Sequence, residues 1–358
     1  MIKSETMRHI WRILMPSTEY RYRANQILSW LQRKHWTHAW APPRVINIEL
    51  ASVCNLKCPF CPTGINQLDR PETGFMSWDI FSSIVDDLSG VYPYAFFNLW
   101  GESLLHPEFN RFVRYAKDHG FKEISISTNG NVRRNDEWYR ELVASELDVI
   151  QIAIDGNDQE TYSKYRLQGS LDTVYLFIET LLRIKNEEKS ERPKIVPVLV
   201  VNQFNKPQIP EINSRLKSLG LDILKIRNNK DLTQSRTEQQ KSNLNHDDFS
   251  CQQDGYGGFF VLKSDGTSQK KINQYSSVIP CPSLWENLYI NSHGGYMPCC
   301  SSFKQEDVIA TIHEFKPLHF WYSRKMRHIR YLNLKDPSKI PACKNCGFII
   351  RRNSTQKP

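Results

Sequence analysis

The sequence predicts an α/β fold built as a partial (β/α)6 barrel, and three observations predict it. Six short β-rich runs alternate with apolar-periodic segments of helical length between residues 45 and 227. The intervals suit right-handed βαβ units around a parallel sheet. The 358 residues exceed one typical domain yet lie within reach of a single α/β barrel with additions.

Each element has its own signal. Pro42-Pro43 marks a break, and Val45 to Leu50 follows as the first strand. Ser77 caps a helix that runs to Leu88. Ala95 to Trp100 reads as a buried strand, Pro107 to His119 as a helix closed by Gly120, and Glu123 to Ser127 as a strand. Asn135 to Ser145 is helical and Asp148 to Ile154 extended. Two helices are expected at Asp158 to Tyr165 and Asp172 to Asn186, before a strand at Lys194 to Val201. A helix from Pro207 to Ser218, ended by Gly220, precedes the last strand, Leu221 to Arg227. Between residues 229 and 280 the pattern dissolves into a polar linker that caps the barrel mouth. Residues 281–350 form a compact cysteine-bearing unit, with Leu288 to Asn291 and Tyr296 to Pro298 flanking a Ser-His-Gly-Gly hairpin turn. Residues 351–358 read as a disordered charged tail.

Composition narrows the class. Hydrophobic residues make up 40% and charged residues 24%, which excludes collagen-like, wholly disordered and disulfide-miniprotein chains. The longest strongly apolar run, Ile195 to Val201, is broken by Pro197 and falls short of the roughly 18 residues a membrane helix needs. No secretory signal is evident, so a cytoplasmic location is expected. The net charge is +9, but residues 1–44 hold eight Lys or Arg against two Glu. The body is therefore not a broadly basic nucleic-acid surface. The arm at 1–43, which also carries Trp11, Trp30, Trp36 and Trp40, reads as short amphipathic helices strapped to the core. Contact with an anionic membrane surface is its alternative role.

The nine cysteines are the anomaly: an odd number with no export signal argues for metal or redox chemistry over disulfides. They fall in two groups, with none between Cys61 and Cys251. Cys54-x3-Cys58-x2-Cys61 lies on the loop after the first strand, on the reactive face of a parallel barrel. Three thiolates on one bent loop suit three corners of an iron–sulfur cube with one iron left open. Zinc is more often closed by four ligands.

The segment from Cys54 to Cys61, with Phe60 before its last cysteine, resembles the signature of the radical S-adenosylmethionine (SAM) superfamily. The resemblance extends to Trp100-Gly101-Glu102, Ser127-Thr128-Asn129-Gly130 and Ile154-Asp155-Gly156, all at strand ends, and to Arg166, eleven residues after Asp155. It implies a TIM-like partial barrel whose 4Fe–4S cluster is held by Cys54, Cys58 and Cys61, with SAM chelated at the open iron. Phe60, Gly101, Glu102, Ser127, Asn129, Asp155 and Arg166 would line the cofactor site. Within that set Glu102 would receive the methionine ammonium, and Arg166 would pair with the carboxylate. A one-electron reductant such as flavodoxin or ferredoxin is also implied. Trp100 stands where the family usually has glycine, Ser103 where proline often follows, and Ala153 where a ribose-contacting serine is common.

The second group, Cys281-x17-Cys299 and Cys343-x2-Cys346, suits a four-cysteine site, for which zinc is the ordinary occupant. Its spacing nevertheless resembles the SPASM/Twitch extension of the same superfamily, a β-hairpin plus helix unit. That resemblance implies an auxiliary 4Fe–4S cluster held by Cys281, Cys299, Cys343 and Cys346 and acting as an electron relay. Cys300 would point away from that site or exchange with Cys299, and Cys251 in the cap is a free thiol or a redox group.

Three function classes compete. The preferred one is oxidation or another radical rearrangement of a small polar metabolite such as a sugar, aminocyclitol or nucleotide-linked sugar. It needs a general base, for which the cap offers His246, Asp247, Asp248 and Asp254, while Cys251 there is a further catalytic candidate as a redox or hydrogen-donating thiol. The second is a peptide-modifying maturase, disfavoured by the roughly 44 residues before the first strand, too few for a winged-helix leader-binding module at ordinary domain sizes. The third is a non-enzymatic zinc or cluster protein. Oligomeric state has no signal in the sequence.

Overall fold

The computed structural model describes residues 37–59, 61–66, 73–91, 93–221, 224–228, 260–262, 268–270, 281 and 283–343. The expected arm helices, nearly all of the cap and the tail lie outside the described residues.

Six strands pair in parallel in chain order: β1 (Val45–Ile48), β2 (Tyr94–Phe96), β3 (Glu123–Thr128), β4 (Val149–Ala153), β5 (Lys194–Val201) and β6 (Leu224–Asn228). The helices between them are α1 (Trp78–Leu88), α2 (Phe109–Asp118), α3 (Asp136–Ala144), α4 (Gln159–Tyr165), α5 (Leu171–Glu187) and α6 (Ile209–Ser218). The strand order is that of a β/α barrel, but β1 and β6 do not meet. The outer edge of β6 pairs antiparallel with β7 (Phe260–Leu262), which in turn pairs with β8 (Ser268–Lys270). The outer edge of β1 is taken by the C-terminal unit, and the barrel stays partial.

That unit comprises α7 (Ser283–Glu286), the hairpin β9 (Asn287–Ile290) and β10 (Gly295–Met297), the short β11 (Ala310–Thr311), and α8 (Pro317–Trp321) and α9 (Arg324–Lys335). The sequence sets it apart as a separate unit, yet β9 pairs in parallel with β1 over four residues and one sheet of eleven strands results. The helix at α8 reinforces the join: the Leu318 N–H donates to Asp87 on α1 at 2.8 Å, and the Trp321 indole to the Ala41 carbonyl at 2.8 Å.

Local chemistry starts and stops the elements. Ser77 accepts a backbone N–H from the first turn of its helix as expected, and Asn135, Asp158, Ser170 and Ser323 do the same for theirs. Gly120 and Gly220 follow α2 and α6 with φ of +86° and +75°, a conformation that side chains disfavour. One continuous apolar core joins α1 and α2 to the sheet, with Phe81 stacked on Phe112 at 4.3 Å, and extends to Trp285 and Trp321 of the C-terminal unit.

Two strand boundaries differ from expectation by three residues or more. The second strand ends at Phe96 rather than Trp100, because Asn98 turns its side chain to the Ser127 carbonyl at 2.7 Å and ends the backbone ladder. The last strand begins at Leu224 rather than Leu221, since the Leu221 N–H still closes α6 on the Leu216 carbonyl.

Glu49, one residue past β1, is fully buried and anchors the junction. It accepts the Trp100 N–H at 3.2 Å and the Ser292 N–H at 3.1 Å, and its own N–H donates to Ile290 at 2.9 Å. Glu49→Ala strands two buried N–H groups, so we expect it to cost about 3 kcal/mol in urea unfolding.

Candidate cofactor site

Loops after parallel strands gather at one end of the sheet, and the first cysteine motif sits on the loop leaving β1. Cys58 is buried, Cys54 and Cys61 are half-buried, and none forms a disulfide. Backbone bonds fix their loop: Cys61 N–H to the Cys58 carbonyl at 3.2 Å, Lys57 to Leu167 at 3.1 Å, and Glu102 to Val53 at 2.9 Å. Gly101 makes the last crossing feasible. A Cβ there would lie 2.0 Å from the Ala51 carbonyl oxygen, so what requires glycine in this structure is the crossing of two backbone segments.

The sulfurs are surrounded by donors. The Leu56 N–H donates to Cys54 Sγ at 3.4 Å, and the Asn129 amide stands 3.7 Å from the same atom. Arg166 Nη1 is 3.7 Å from Cys58 Sγ. Burial pushes the Cys54 thiol up to about 12, with Glu102, Cys61 and Cys58 adding to it. Burial also raises Cys58, against the pull of Arg166. Thiols of this kind exchange their protons for a metal rather than for water, and N–H donors aimed at sulfur are what iron-bound thiolates use. The donor set therefore fits an iron–sulfur centre. Among the described residues no three His, Cys, Asp or Glu side chains close on a single metal ion.

Two charges of opposite sign flank this loop. Glu102 is buried, and Oε1 accepts the Leu104 N–H at 3.1 Å and the Thr128 hydroxyl at 2.9 Å. Oε2 accepts the Asn129 N–H at 2.8 Å, which leaves that oxygen a further lone pair. Burial raises the Glu102 carboxyl, and these same three bonds oppose the rise. On the other side Arg166 donates Nε to Asp155 at 2.5 Å. Asp155 is fully buried and also accepts the Val200 N–H at 2.6 Å, so it acts as a clamp on the guanidinium. These contacts engage Nε and Nη1 of Arg166 and leave Nη2 over.

Ser127 pairs through its backbone with the Asn98 side chain. Asn129 accepts the Asn131 N–H at 2.7 Å and donates to Asn55 at 3.0 Å. Asn131 in turn reaches the Tyr162 hydroxyl at 2.8 Å. Asn55, Asn98 and Asn131 escaped sequence reasoning. The Asn-Gly-Asn run at 129–131 is a signal for the last of them, and the other two have none.

In the C-terminal unit Cys281, Cys299 and Cys343 share one neighbourhood. Burial pushes the Cys299 thiol well up, and Cys300, Cys281 and Cys343 each add to it. Cys300 is exposed while Cys299 Sγ receives the Ser301 N–H at 3.4 Å. Trp100 links the two cysteine groups: its indole donates to the Ser302 carbonyl at 2.7 Å, its ring meets Phe303 edge-on at 5.8 Å, and its own carbonyl accepts the Thr63 hydroxyl. Phe60, His246, Asp247, Asp248, Cys251, Asp254 and Cys346 lie outside the described residues.

The radical SAM superfamily domain matches residues 48–191, and the SPASM iron–sulfur cluster-binding domain matches residues 281–347. A cofactor-modifying protein for tungsten-containing aldehyde ferredoxin oxidoreductase from Pyrococcus furiosus is 30% identical over 190 residues, covering 52% of this chain and 51% of that protein. The chain thus spans about half the length of this curated relative. Among solved structures, BtrN in complex with AdoMet and 2-DOIA superposes with a TM-score of 0.51 at 17% identity, covering 85% of this chain and 93% of that one. Streptococcus suis SuiB bound to precursor peptide SuiA gives 0.58 at 15% identity, covering 87% and 71%. At these identities the likeness is one of fold.

Gly101→Ala forces the Ala51 carbonyl aside, and overpacking of this kind costs about 1–3 kcal/mol. We expect the variant to melt lower and to take up less iron per chain, measured by scanning calorimetry and iron analysis.

Proposed function

Because the chain belongs to the radical SAM superfamily and carries a SPASM iron–sulfur domain, we propose that it cleaves SAM reductively and abstracts hydrogen from a small polar metabolite. A 4Fe–4S cluster, SAM and auxiliary iron–sulfur are its cofactors. When bound, the first cluster passes one electron to the sulfonium of SAM, and the resulting 5′-deoxyadenosyl radical takes a hydrogen atom from the substrate.

In this reading Cys54, Cys58 and Cys61 would hold the first cluster, and Cys281, Cys299, Cys343 and Cys346 would hold the auxiliary one, which would supply an electron acceptor. The observation that carries the proposal is the placement of one carboxylate and one guanidinium beside the same cysteine loop. Glu102 belongs to the electrostatic surroundings of Cys54, and Arg166 is bonded toward Cys58. A methionine moiety presents an ammonium and a carboxylate, and it needs one partner of each sign. The spare lone pair of Glu102 takes the ammonium, and the spare Nη2 of Arg166 takes the carboxylate. Asp155 keeps Arg166 oriented, Asn129 steadies both Glu102 and Cys54, and Gly101 and Ser127 fix the two loops that carry them. Phe60 belongs to the same cofactor set by resemblance alone. Substrate deprotonation falls to a cap residue among His246, Asp254 and Cys251, and a flavodoxin or ferredoxin in the cytoplasm supplies the electron. A peptide is the competing substrate class.

Anaerobic reconstitution tests the reading. The expected result is about eight irons per chain, as two 4Fe–4S clusters require, with release of 5′-deoxyadenosine on reduction. Replacing Cys54, Cys58 and Cys61 by Ala abolishes that release. Colourless protein that leaves SAM intact sinks the proposal. Arg166→Lys loses the fixed fork, and we expect KM for SAM to rise about tenfold, roughly 1.4 kcal/mol. An oxidised metabolite against a modified peptide in the product analysis separates the two substrate classes.

A further inference from the structure

Behind the second cysteine group, α9 carries two fully buried polar side chains one turn apart, Arg330 and Asn333. Arg330 donates Nε to the Leu284 carbonyl at 2.9 Å and Nη1 to the Trp321 carbonyl at 3.1 Å, with its guanidinium 4.5 Å from the Trp321 ring centre. Among the described residues it has no carboxylate partner. Asn333 Oδ1 accepts the Cys281 N–H at 3.0 Å. Both side chains therefore address the short segment from Cys281 to Leu284, and each keeps one donor over: among the described residues, Arg330 Nη2 and Asn333 Nδ2 are buried without a hydrogen-bond partner.

A buried amide N–H without an acceptor costs about 1–3 kcal/mol, and an uncompensated buried cation costs more. Two such groups on one stripe call for a negatively charged acceptor on the side they face. A cluster with four thiolate ligands is one, since it carries net negative charge and exposes sulfur as acceptor.

We propose that Arg330 and Asn333 are positioning residues for the auxiliary iron–sulfur centre. Asn333 holds the Cys281 backbone through its carbonyl and gives its amide N–H to sulfur of the centre, and Arg330 sets positive charge behind it. Together they raise the reduction potential of the centre, as donors and charge near cluster sulfurs do. The inference rests on the reading that Cys281 is a ligand.

The test uses the full chain with Cys54, Cys58 and Cys61 replaced by Ala, reconstituted anaerobically so that the auxiliary centre alone is titrated by electron paramagnetic resonance. Asn333→Leu and Arg330→Met are introduced separately. At a fixed ambient potential the reduced-to-oxidised ratio is expected to fall about tenfold in each, about 59 mV for a one-electron couple. A loaded centre whose ratio stays within about a factor of two of the parent in both variants overturns the inference, whatever happens to the melting temperature. If Asn333→Leu takes up no iron, Arg330→Met decides, because Arg330 bonds no cysteine. A parent chain that binds no iron removes the ligand reading itself, and that result is distinct from an unchanged potential.

Discussion

The carboxylate of Glu49 sits where three chain segments meet, and its bonds tie each of them to the end of β1. It takes a backbone N–H from the loop after β2 and another from the turn of the β9–β10 hairpin, while its own main chain extends the β1–β9 ladder by one bond. An apolar side chain there would leave both N–H groups without this acceptor. One buried side chain therefore fixes the height at which the loop carrying Glu102 crosses the cysteine loop, and the height at which the C-terminal cysteines stand beside it. At the opposite end of the same strand pair Arg44 bonds Glu286 at 2.9 Å, so the ladder is held at both ends.

The electrostatics of the first site follow from that fixed geometry. Sulfur, carboxylate and guanidinium are brought together at buried and half-buried positions, and Cys54, Cys58, Glu102 and Arg166 are each bonded to main-chain N–H groups or to a neighbour of opposite sign. Burial raises the Cys54 and Cys58 thiols and the Glu102 carboxyl alike. The array is therefore short of positive charge, and Arg166, clamped by Asp155, is the group that partly offsets it. Binding iron in place of thiol protons relieves the same shortage.

Local information was enough to locate most of this in the sequence. The three cysteines lie within eight residues, and Glu102, Asn129 and Asp155 each follow a parallel strand, where side chains meet at the strand ends. Helix caps were equally legible, because a cap and its first turn are neighbours in the chain. What escaped notice depends on distant partners. Trp100 read as a departure from a glycine pattern, yet its indole spans to Ser302, 202 positions away. Asn333 gave no signal at all, since its meaning lies in Cys281, 52 positions earlier. The join of β9 to β1 was hidden for the same reason: alternation predicts strands, but nothing in a short hairpin states which edge it will choose.

The pairing of the first strand with a hairpin near the end of the chain sets the timetable of folding. Ribosomal synthesis delivers β1 early, and its outer edge stays bare until residues 287–290 have emerged. Contacts so far apart in sequence form late, and an unpaired strand edge invites other chains in the meantime. The outer edge of β1 is thus open to pairing with other chains for as long as residues 287–290 are still to come.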